Sequence, residues 1–208
     1  LMKEVGAHVG DIVFFGADEY KLALEPLGEV RKACARRFKL IDESLWSYLW
    51  VKEFPMFEKS VETGEVGAVH HPFTRPLAED EHLLEKDPLV MRAIAHDLVL
   101  NGVEVGGGSV RIHERALQKR VFDILQISDA DAERRFGHML RAFEYGAPPH
   151  GGIAMGLDRF CMLLCDEPNI REVIAFPKDQ KAKDLLLGAP SEMPEAQIQE
   201  LGIKILEE

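Results

Sequence analysis

The chain has few cysteines and no long apolar run. Its 208 residues contain no stretch of eighteen or more apolar side chains, the length that a membrane-spanning helix needs. The first residues also lack the basic, apolar and small-residue segments of a secretory leader. Three cysteines cannot all pair with one another, which argues against a secreted disulfide framework. Together these absences predict a cytoplasmic protein that does not enter a membrane.

Positive charge is also scarce. Lys and Arg number 25 against 36 Asp and Glu, which gives a formal net charge of −11. Since non-specific contact with phosphates needs clustered Lys and Arg, a general nucleic-acid binder is disfavoured, whereas a specific RNA contact stays open. No G-x-x-x-x-G-K-[ST] P-loop occurs, and Gly106-Gly107-Gly108 does not fit a Rossmann pattern. Cys161 and Cys165 share a helix face, but a zinc site needs more ligands, so we interpret them as small core residues.

The strongest local signal lies in residues 94–112, where two β-prone runs flank Asn101-Gly102. Asn-Gly is a preferred sequence for a two-residue type I′ hairpin turn. With the turn there, Asp97 and Glu104 fall on one face as diagonal neighbours, roughly 7–8 Å apart at Cα. Two such carboxylates suit one hard cation, since Mg²⁺ takes carboxylates together with phosphate oxygens and water. The alternative is an ordinary pair of solvent-facing acids.

The same register pairs Leu98 with Val105 and places Arg111 on the opposite face from Glu104. Three consecutive glycines, residues 106–108, lie between the acid and the arginine. Glycine is where bulges and close backbone approach are expected, and a bulge in the glycines would bring Arg111 to the face of the acids. Two acids, a bare backbone and an arginine on one face predict a site for a phosphate-bearing ligand with Mg²⁺.

A second candidate site follows at residues 151–159, where a strand, Gly156 and a helix N-terminus are predicted in succession. Free backbone N–H groups and the helix dipole at such a junction favour an anion, and Arg159 can stack on a purine or reach phosphate. The pattern is weak by itself, because its alternative is an ordinary tight connection. The third candidate is His70-His71. Adjacent side chains of a strand point to opposite faces, so we expect only one of the two to face the interior.

Apolar periodicity predicts an α+β protein with an antiparallel β-sheet flanked by helices, since the regular βαβ alternation of a doubly wound sheet is missing. We predict strands at 11–15, 47–57, 66–71, 94–112 (the hairpin) and 151–155, and helices at 18–38, 114–126, 128–145 and 157–165. A short helical or irregular stretch is expected at 79–86, and a short helix and a strand-like 203–205 at the end. One strand and one helix make a poor domain, so we interpret residues 1–39 as the end of a separate module.

Four segments carry a resemblance to a known family: V-H-H-P-F-T (69–74), D-L-V-L-N-G-V-E-V-G-G-G-S-V-R-I-H (97–113), Y-G-A-P-P-H-G-G-I-A-M-G-L-D-R (145–159) and I-R-E-V-I-A-F-P-K (170–178). They closely resemble bacterial-type aspartyl-tRNA synthetase, and the likeness covers nearly the whole chain. G-L-D-R is similar to motif 3 of the class II synthetases. The resemblance implies a partial class II catalytic fold. Residues 1–39 would be the end of the family's insertion domain, and 40–208 the C-terminal part of its catalytic domain.

The resemblance also implies roles for individual residues. His70 would contact the bound aspartate, and Arg111 would pair with the side-chain carboxylate of that aspartate. Glu104 would hold ATP through Mg²⁺, with Asp97 as a second acid at the metal. The remaining ATP-binding residues form one run, Gly156, Leu157, Asp158 and Arg159.

The implied activity is that of an aspartate–tRNA ligase. In this family ATP activates L-aspartate to aspartyl-adenylate with release of pyrophosphate, and tRNA(Asp) then takes the aspartyl group. Whether tRNA(Asn) is also charged stays open, and a homodimer is implied for the full-length enzyme. The family's anticodon-binding barrel and its motifs 1 and 2 have no counterpart in these residues. We therefore expect a C-terminal third of the enzyme that does not aminoacylate when isolated.

Other interpretations remain beside this one. A relative specific for asparagine or lysine is disfavoured by the H-H-P-F run and the triple glycine. The main alternative of a different class is a non-catalytic truncated paralogue, or an RNA- or protein-binding module, that kept the fold. A stand-alone Mg²⁺-dependent nucleotide enzyme would need a second arginine, for which Arg75 and Arg171 are the candidates.

Overall fold

The computed structural model describes residues 3–18 and 20–205. The chain divides after Ser47 into two compact units, 1–47 and 48–208. The boundary predicted from the sequence lies at 39/40, and the assignment of residues 1–39 to an insertion domain stays a prediction.

The first unit contains the helix α1 (Tyr20–Arg37), close to the predicted span, with Pro26 inside it. The strand predicted at 11–15 is wrong. No strand forms there, and Ile12 and Phe15 are 80% and 71% exposed. A strand needs a hydrogen-bonded neighbour, and the described part of this unit supplies no second strand to pair with it.

The strands of the second unit are β1 (Tyr48–Lys52), β2 (Phe57–Lys59), β3 (Val66–Ala68), β4 (Ala95–Leu100), β5 (Val103–Val110) and β6 (Gly151–Met155). One sheet has the order β1-β4-β5-β6, and all of its neighbouring strands are antiparallel. A second, two-stranded antiparallel sheet pairs β2 with β3. The antiparallel α+β class predicted from the sequence is therefore confirmed.

The strand predicted at 47–57 forms only over its first half, because the chain changes sheets before its end. β1 ends at Lys52, Glu53 has a left-handed φ of 59°, and Phe57 begins β2. A non-glycine residue at positive φ cannot continue a strand, so the chain turns there. The strand predicted at 66–71 is also too long, since β3 ends at Ala68.

The helices of the second unit are α2 (Arg115–Ile124), α3 (Asp129–Glu144), α4 (Leu157–Leu164) and α5 (Glu195–Glu200), in agreement with the predicted helices. Ser128 caps α3, because its side-chain oxygen accepts a hydrogen bond from the backbone N–H of Asp131. A 3₁₀ helix covers Ala78–Leu83. The strand-like end predicted at 203–205 is wrong, since those residues form no strand.

A core of apolar side chains holds α2 against the strands and loops of the second unit. Its buried members are Met56, Phe57, Leu84, Met91, Ala93, Ala95, Ile112, Leu117 and Val121. Each large side chain that becomes fully buried contributes roughly 1.5–3 kcal/mol to stability.

Cys161 is only partly buried and Cys165 is exposed, so the prediction that both are core residues is wrong for Cys165. In residues 3–18 and 20–205, no helix is both long and apolar enough to cross a membrane.

Candidate active site

The β4–β5 turn forms as the Asn-Gly signal predicts. Asn101 and Gly102 have φ angles of 48° and 82°, the two positive values that a type I′ turn requires. Val99 then pairs with Glu104, as the turn position dictates.

A bulge follows immediately, one residue before the glycines. Leu98 pairs with Gly106 rather than with the predicted Val105, so Val105 is the extra residue and the predicted pairing is wrong. Val105 is completely buried. The bulge reverses the alternation of every later residue, and Arg111 thereby joins the face of Glu104. The effect expected of a bulge is confirmed, and only its position differs.

The shared face lines a cavity of about 560 Å³. The described residues around it are His70, His71, Asp97, Glu104, Val105, Gly106, Gly107, Gly108, Ser109, Arg111, Ala154, Met155, Gly156 and Arg159. Five segments supply them: the loop after β3, β4, β5 with the residue Arg111 beyond it, β6, and the start of α4. Residues of the three sequence-predicted sites therefore meet in one cavity.

Gly107 forms the floor beneath the two acids. A Cβ atom at Gly107 would lie 2.8 Å from Asp97 Oδ1 and 3.1 Å from Glu104 Oε1. The two oxygens are therefore within about 6 Å of each other, a span that one cation with bound water can bridge. Burial raises the pKa of Asp97, and the charge of Glu104 raises it further. A cation between the carboxylates would relieve this repulsion.

The acid pair fits Mg²⁺ only if a ligand supplies further oxygens. Among the described residues, no group of three or more His, Cys, Asp or Glu side chains is placed to hold a metal. Mg²⁺ is commonly held by one or two carboxylates together with substrate phosphates and water, so the donor set of Asp97 and Glu104 suits a metal–phosphate complex.

Arg159 is already paired with one of these acids. Its Nη1 atom lies 3.1 Å from Glu104 Oε2 and donates a hydrogen bond to the backbone carbonyl oxygen of Glu104 at 2.7 Å. Both side chains are nearly half exposed, so the pair contributes little to stability. Arg159 and Glu104 can therefore separate and each contact a ligand at a small cost in free energy.

Arg111 is held by neutral groups. Its Nη1 atom hydrogen-bonds to His71 Nε2 and donates to the hydroxyl of Ser109. Burial lowers the pKa of Arg111, although an arginine in this surrounding stays charged. None of the ion pairs among the described residues includes Arg111. A partly buried cation without a counter-ion is a binding position for a carboxylate or phosphate.

His71 is a site residue that the sequence analysis missed. Because β3 ends at Ala68, strand alternation does not separate the two histidines, and both His70 and His71 line the cavity. The signal in the sequence is Pro72, since the residue before a proline is restricted and strands often end there. Burial lowers the pKa of His71, with the charge of Arg111 as the second cause. Its Nδ1 accepts a hydrogen bond from the backbone N–H of Phe73 at 3.2 Å, and its Nε2 lies against the guanidinium of Arg111.

The remaining predicted residues differ in position. His70 packs edge-on against Phe54, with ring centroids 5.0 Å apart. Gly156 donates its backbone N–H to the carbonyl oxygen of Val105 at 2.9 Å and lines the cavity. Leu157, which is 74% exposed, and Asp158 are not among its lining residues.

Neither candidate for an extra arginine lines the cavity. Arg75 forms an ion pair with Glu114 at 2.6 Å and is also 3.7 Å from Glu81. Arg171 lies in a separate 3₁₀ helix, Ile170–Glu172. A stand-alone nucleotide enzyme that relies on either of them is therefore not supported.

The antiparallel sheet with flanking helices is a fold that solved tRNA synthetases share. Aspartyl tRNA synthetase from Entamoeba histolytica aligns with a TM-score of 0.51 and 22% identity, over 88% of this chain and 30% of that one. Asparaginyl-tRNA synthetase from the same organism gives a TM-score of 0.50 at 16% identity, over 85% and 31%. At such identities the likeness shows the fold.

The sequence comparisons define the family. The profile of "tRNA synthetases class II (D, K and N)" matches residues 14–180, and the chain belongs to this family. It is 50% identical over 205 residues to an aspartate–tRNA(Asp/Asn) ligase of Caldanaerobacter subterraneus subsp. tengcongensis. It is 49% identical to an aspartate–tRNA ligase of Lysinibacillus sphaericus. Both alignments cover 99% of this chain and 35% of the relative, so the chain spans about a third of these relatives' length.

Proposed function

We propose that this chain forms the aspartate- and ATP-binding part of an aspartate–tRNA ligase. The observation that carries the proposal is Arg111, a partly buried cation whose partners are the neutral groups of His71 and Ser109. The similarity to curated aspartate–tRNA ligases over nearly the whole chain supports it. The proposed domain assignment is the one inferred from the sequence, with 1–39 from an insertion domain and 40–208 from the catalytic domain.

The amino acid would bind at Arg111 and His70. The planar guanidinium offers two parallel N–H donors to the side-chain carboxylate of aspartate. An amide in the same place would present N–H groups to those donors, so asparagine would leave buried polar groups unpaired and be rejected. Ser109 and His71 would fix the guanidinium plane before the substrate arrives.

The nucleotide would bind along Gly106–Gly108 and the start of α4. Arg159 would leave Glu104 and place its charge on ATP, while Glu104 and Asp97 would hold Mg²⁺. Bound Mg²⁺ supplies neutralisation of phosphate charge. The chain's own residues align the aspartate α-carboxylate with the α-phosphate, a reaction that depends on positioning and electrostatics more than on a general base.

The acceptor and the assembly are inferred from the family. We propose tRNA(Asp) as the acceptor, with tRNA(Asn) as the second acceptor to test, in a cytoplasmic homodimer. Since the chain spans about a third of its relatives, the complete gene product is expected to be active and the 208 residues alone inactive.

Amino-acid-dependent ATP–pyrophosphate exchange tests the function. The complete gene product should exchange with aspartate and Mg²⁺ and should reject asparagine by several orders of magnitude. Exchange with asparagine or lysine instead would identify another member of the family. No exchange with any amino acid would favour the alternative, a non-catalytic synthetase paralogue or an RNA- or protein-binding module.

A further inference from the structure

Gln118 in α2 is a buried amide outside the cavity. It is 2% exposed, and its Nε2 atom donates a hydrogen bond of 2.8 Å to the carbonyl oxygen of Pro72. Its Oε1 atom is buried and has no hydrogen-bond partner among the described residues. A carbonyl oxygen can only accept, so this bond fixes which way the amide points. An unsatisfied buried acceptor costs free energy of folding, so the favourable contribution of this amide is the bond from its Nε2 atom to the Pro72 carbonyl.

The bond holds the segment that carries His71. Proline has no backbone N–H, so the carbonyl is the hydrogen-bonding group that Pro72 can offer. The next residue, Phe73, accepts a hydrogen bond from the backbone N–H of Ile112 at 2.9 Å. The loop is thus tied to α2 through Pro72 and to the chain just beyond β5 through Phe73.

The far end of this connection is the proposed aspartate clamp. His71 precedes Pro72, and its ring hydrogen-bonds to the Arg111 guanidinium. A shift of the Pro72 carbonyl therefore moves the imidazole that orients Arg111. A misplacement of about 1 Å at a positioned group can lower the rate about 100-fold.

Ligand binding beside Gln118 is a weaker explanation for the buried amide. Gln118 lines a separate cavity of about 320 Å³, together with Arg115 and Lys119. Arg115 is ion-paired with Glu144, and Lys119 with Asp129 at 2.8 Å. These positive charges are neutralised within the protein, so the cavity does not attract an anion.

We propose that Gln118 is a positioning residue for amino-acid binding, acting through the Pro72 carbonyl and His71 on Arg111. The role rests on the proposed function, since it assumes that Arg111 takes the aspartate side chain. Glu104 and Arg159 lie on β5 and α4 and are paired with each other. The nucleotide side of the cavity therefore does not depend on Gln118.

The test uses Gln118→Met in the complete gene product, which removes the donor at nearly constant volume. The KM for aspartate should rise about tenfold, the effect of one lost hydrogen bond, while the KM for ATP stays unchanged. Gln118→Glu should raise it further, because a carboxylate oxygen would face the Pro72 carbonyl. Ile124→Val, a methyl deletion in the same helix, is the matched control and should change neither KM.

Hydrogen exchange gives a readout that needs no activity. The backbone amides of Phe73 and Thr74 should exchange faster in Gln118→Met than in the parent or in Ile124→Val. An unchanged KM for aspartate, or an equal rise in both KM values, would overturn the positioning role. If the parent shows no aspartate-dependent exchange, the proposed function fails. Unchanged protection of Phe73 and Thr74 would then overturn the anchoring of the loop by itself.

Discussion

The two arginines of the cavity are held in different ways. Arg111 is partly buried and contacts an imidazole and a hydroxyl, so its charge has no counter-ion among the described residues. Arg159 is nearly half exposed and forms an ion pair with Glu104. The proposed aspartate side, around Arg111, is thus organised before a ligand arrives, whereas on the proposed nucleotide side Arg159 must first leave Glu104. The Arg111 side can therefore select for an acid, and the Arg159 side can make binding depend on the metal–nucleotide complex.

The three glycines Gly106–Gly108 line both the aspartate side and the nucleotide side of the cavity. A substitution among them should therefore impair both sides at once. A Cβ at Gly108 would lie 1.9 Å from the carbonyl oxygen of Gly152 on β6, so Gly108→Ala must separate the two strands. We expect a loss of roughly 3 kcal/mol or more of unfolding free energy, as for other severe backbone clashes, and loss of binding on both sides. Gly152→Ala is the control, because nothing lies within 4 Å of its Cβ position. Urea denaturation of both variants measures the difference.

Glu104→Gln should break only the nucleotide side. Removing one carboxylate of the acid pair is expected to lower the rate of aspartate-dependent exchange about 100-fold, the usual range for a lost electrostatic contact to reacting phosphates. The requirement for Mg²⁺ should shift to higher concentrations, and the KM for aspartate should hardly change. Glu85→Gln, which removes a surface partner of Arg120, is the control. A variant with the parent's Mg²⁺ dependence would contradict the assignment of Glu104.

The parts of the site that the sequence predicts are those set by local residue patterns. The Asn101-Gly102 turn and the strand–Gly156–helix junction are local signals, and both were predicted correctly. The position of the bulge depends on burying Val105, which is a tertiary requirement and was missed. So was His71, because the end of β3 depends on the neighbouring strand and on the loop anchors of Pro72 and Phe73.

Two predicted strands, 11–15 and 47–57, exceed what the structure shows, one because it has no partner strand among the described residues and one because it ends at the edge of the sheet. The apolar run at 11–15 satisfies the strand pattern but forms no strand, because pairing is a property of the neighbours and cannot be seen in the run itself.

Acid should weaken the aspartate side through His71. Its pKa in the folded protein lies below the ordinary value of 6.5, so the unfolded chain binds a proton first as the pH falls. The contribution of His71 to stability is therefore full above about pH 6.5 and declines as the pH drops toward the folded-state pKa. Unfolding free energies of the parent and of His71→Gln at pH 7.5, 6.5 and 5.5 measure this. The parent should lose more stability than the variant, and parallel curves would contradict it.

Asp97→Asn should have the smallest effect on stability, and it should stabilise the fold, whereas the Gly108 substitution destabilises it. The pKa of Asp97 is raised, so ionisation of this carboxyl at neutral pH disfavours the folded state. The destabilisation is full above the folded-state pKa and disappears as the pH falls below the ordinary value of 3.8. Without ligand, the variant should be more stable than the parent at pH 7 by up to about 1 kcal/mol, the range for adjacent like charges. With Mg²⁺ and ATP, thermal melting should show a smaller stabilisation of the variant than of the parent.

Binding of a non-hydrolysable aspartyl-adenylate analogue to the complete gene product tests the central claim most directly. Isothermal titration calorimetry would compare the parent, Arg111→Leu, and Arg115→Leu as a surface control paired with Glu144. If Arg111 is the unneutralised cation that takes the aspartate side chain, Arg111→Leu should weaken binding by about 2–5 kcal/mol, at least 30-fold, and Arg115→Leu should not. An analogue affinity unchanged by Arg111→Leu would contradict the account.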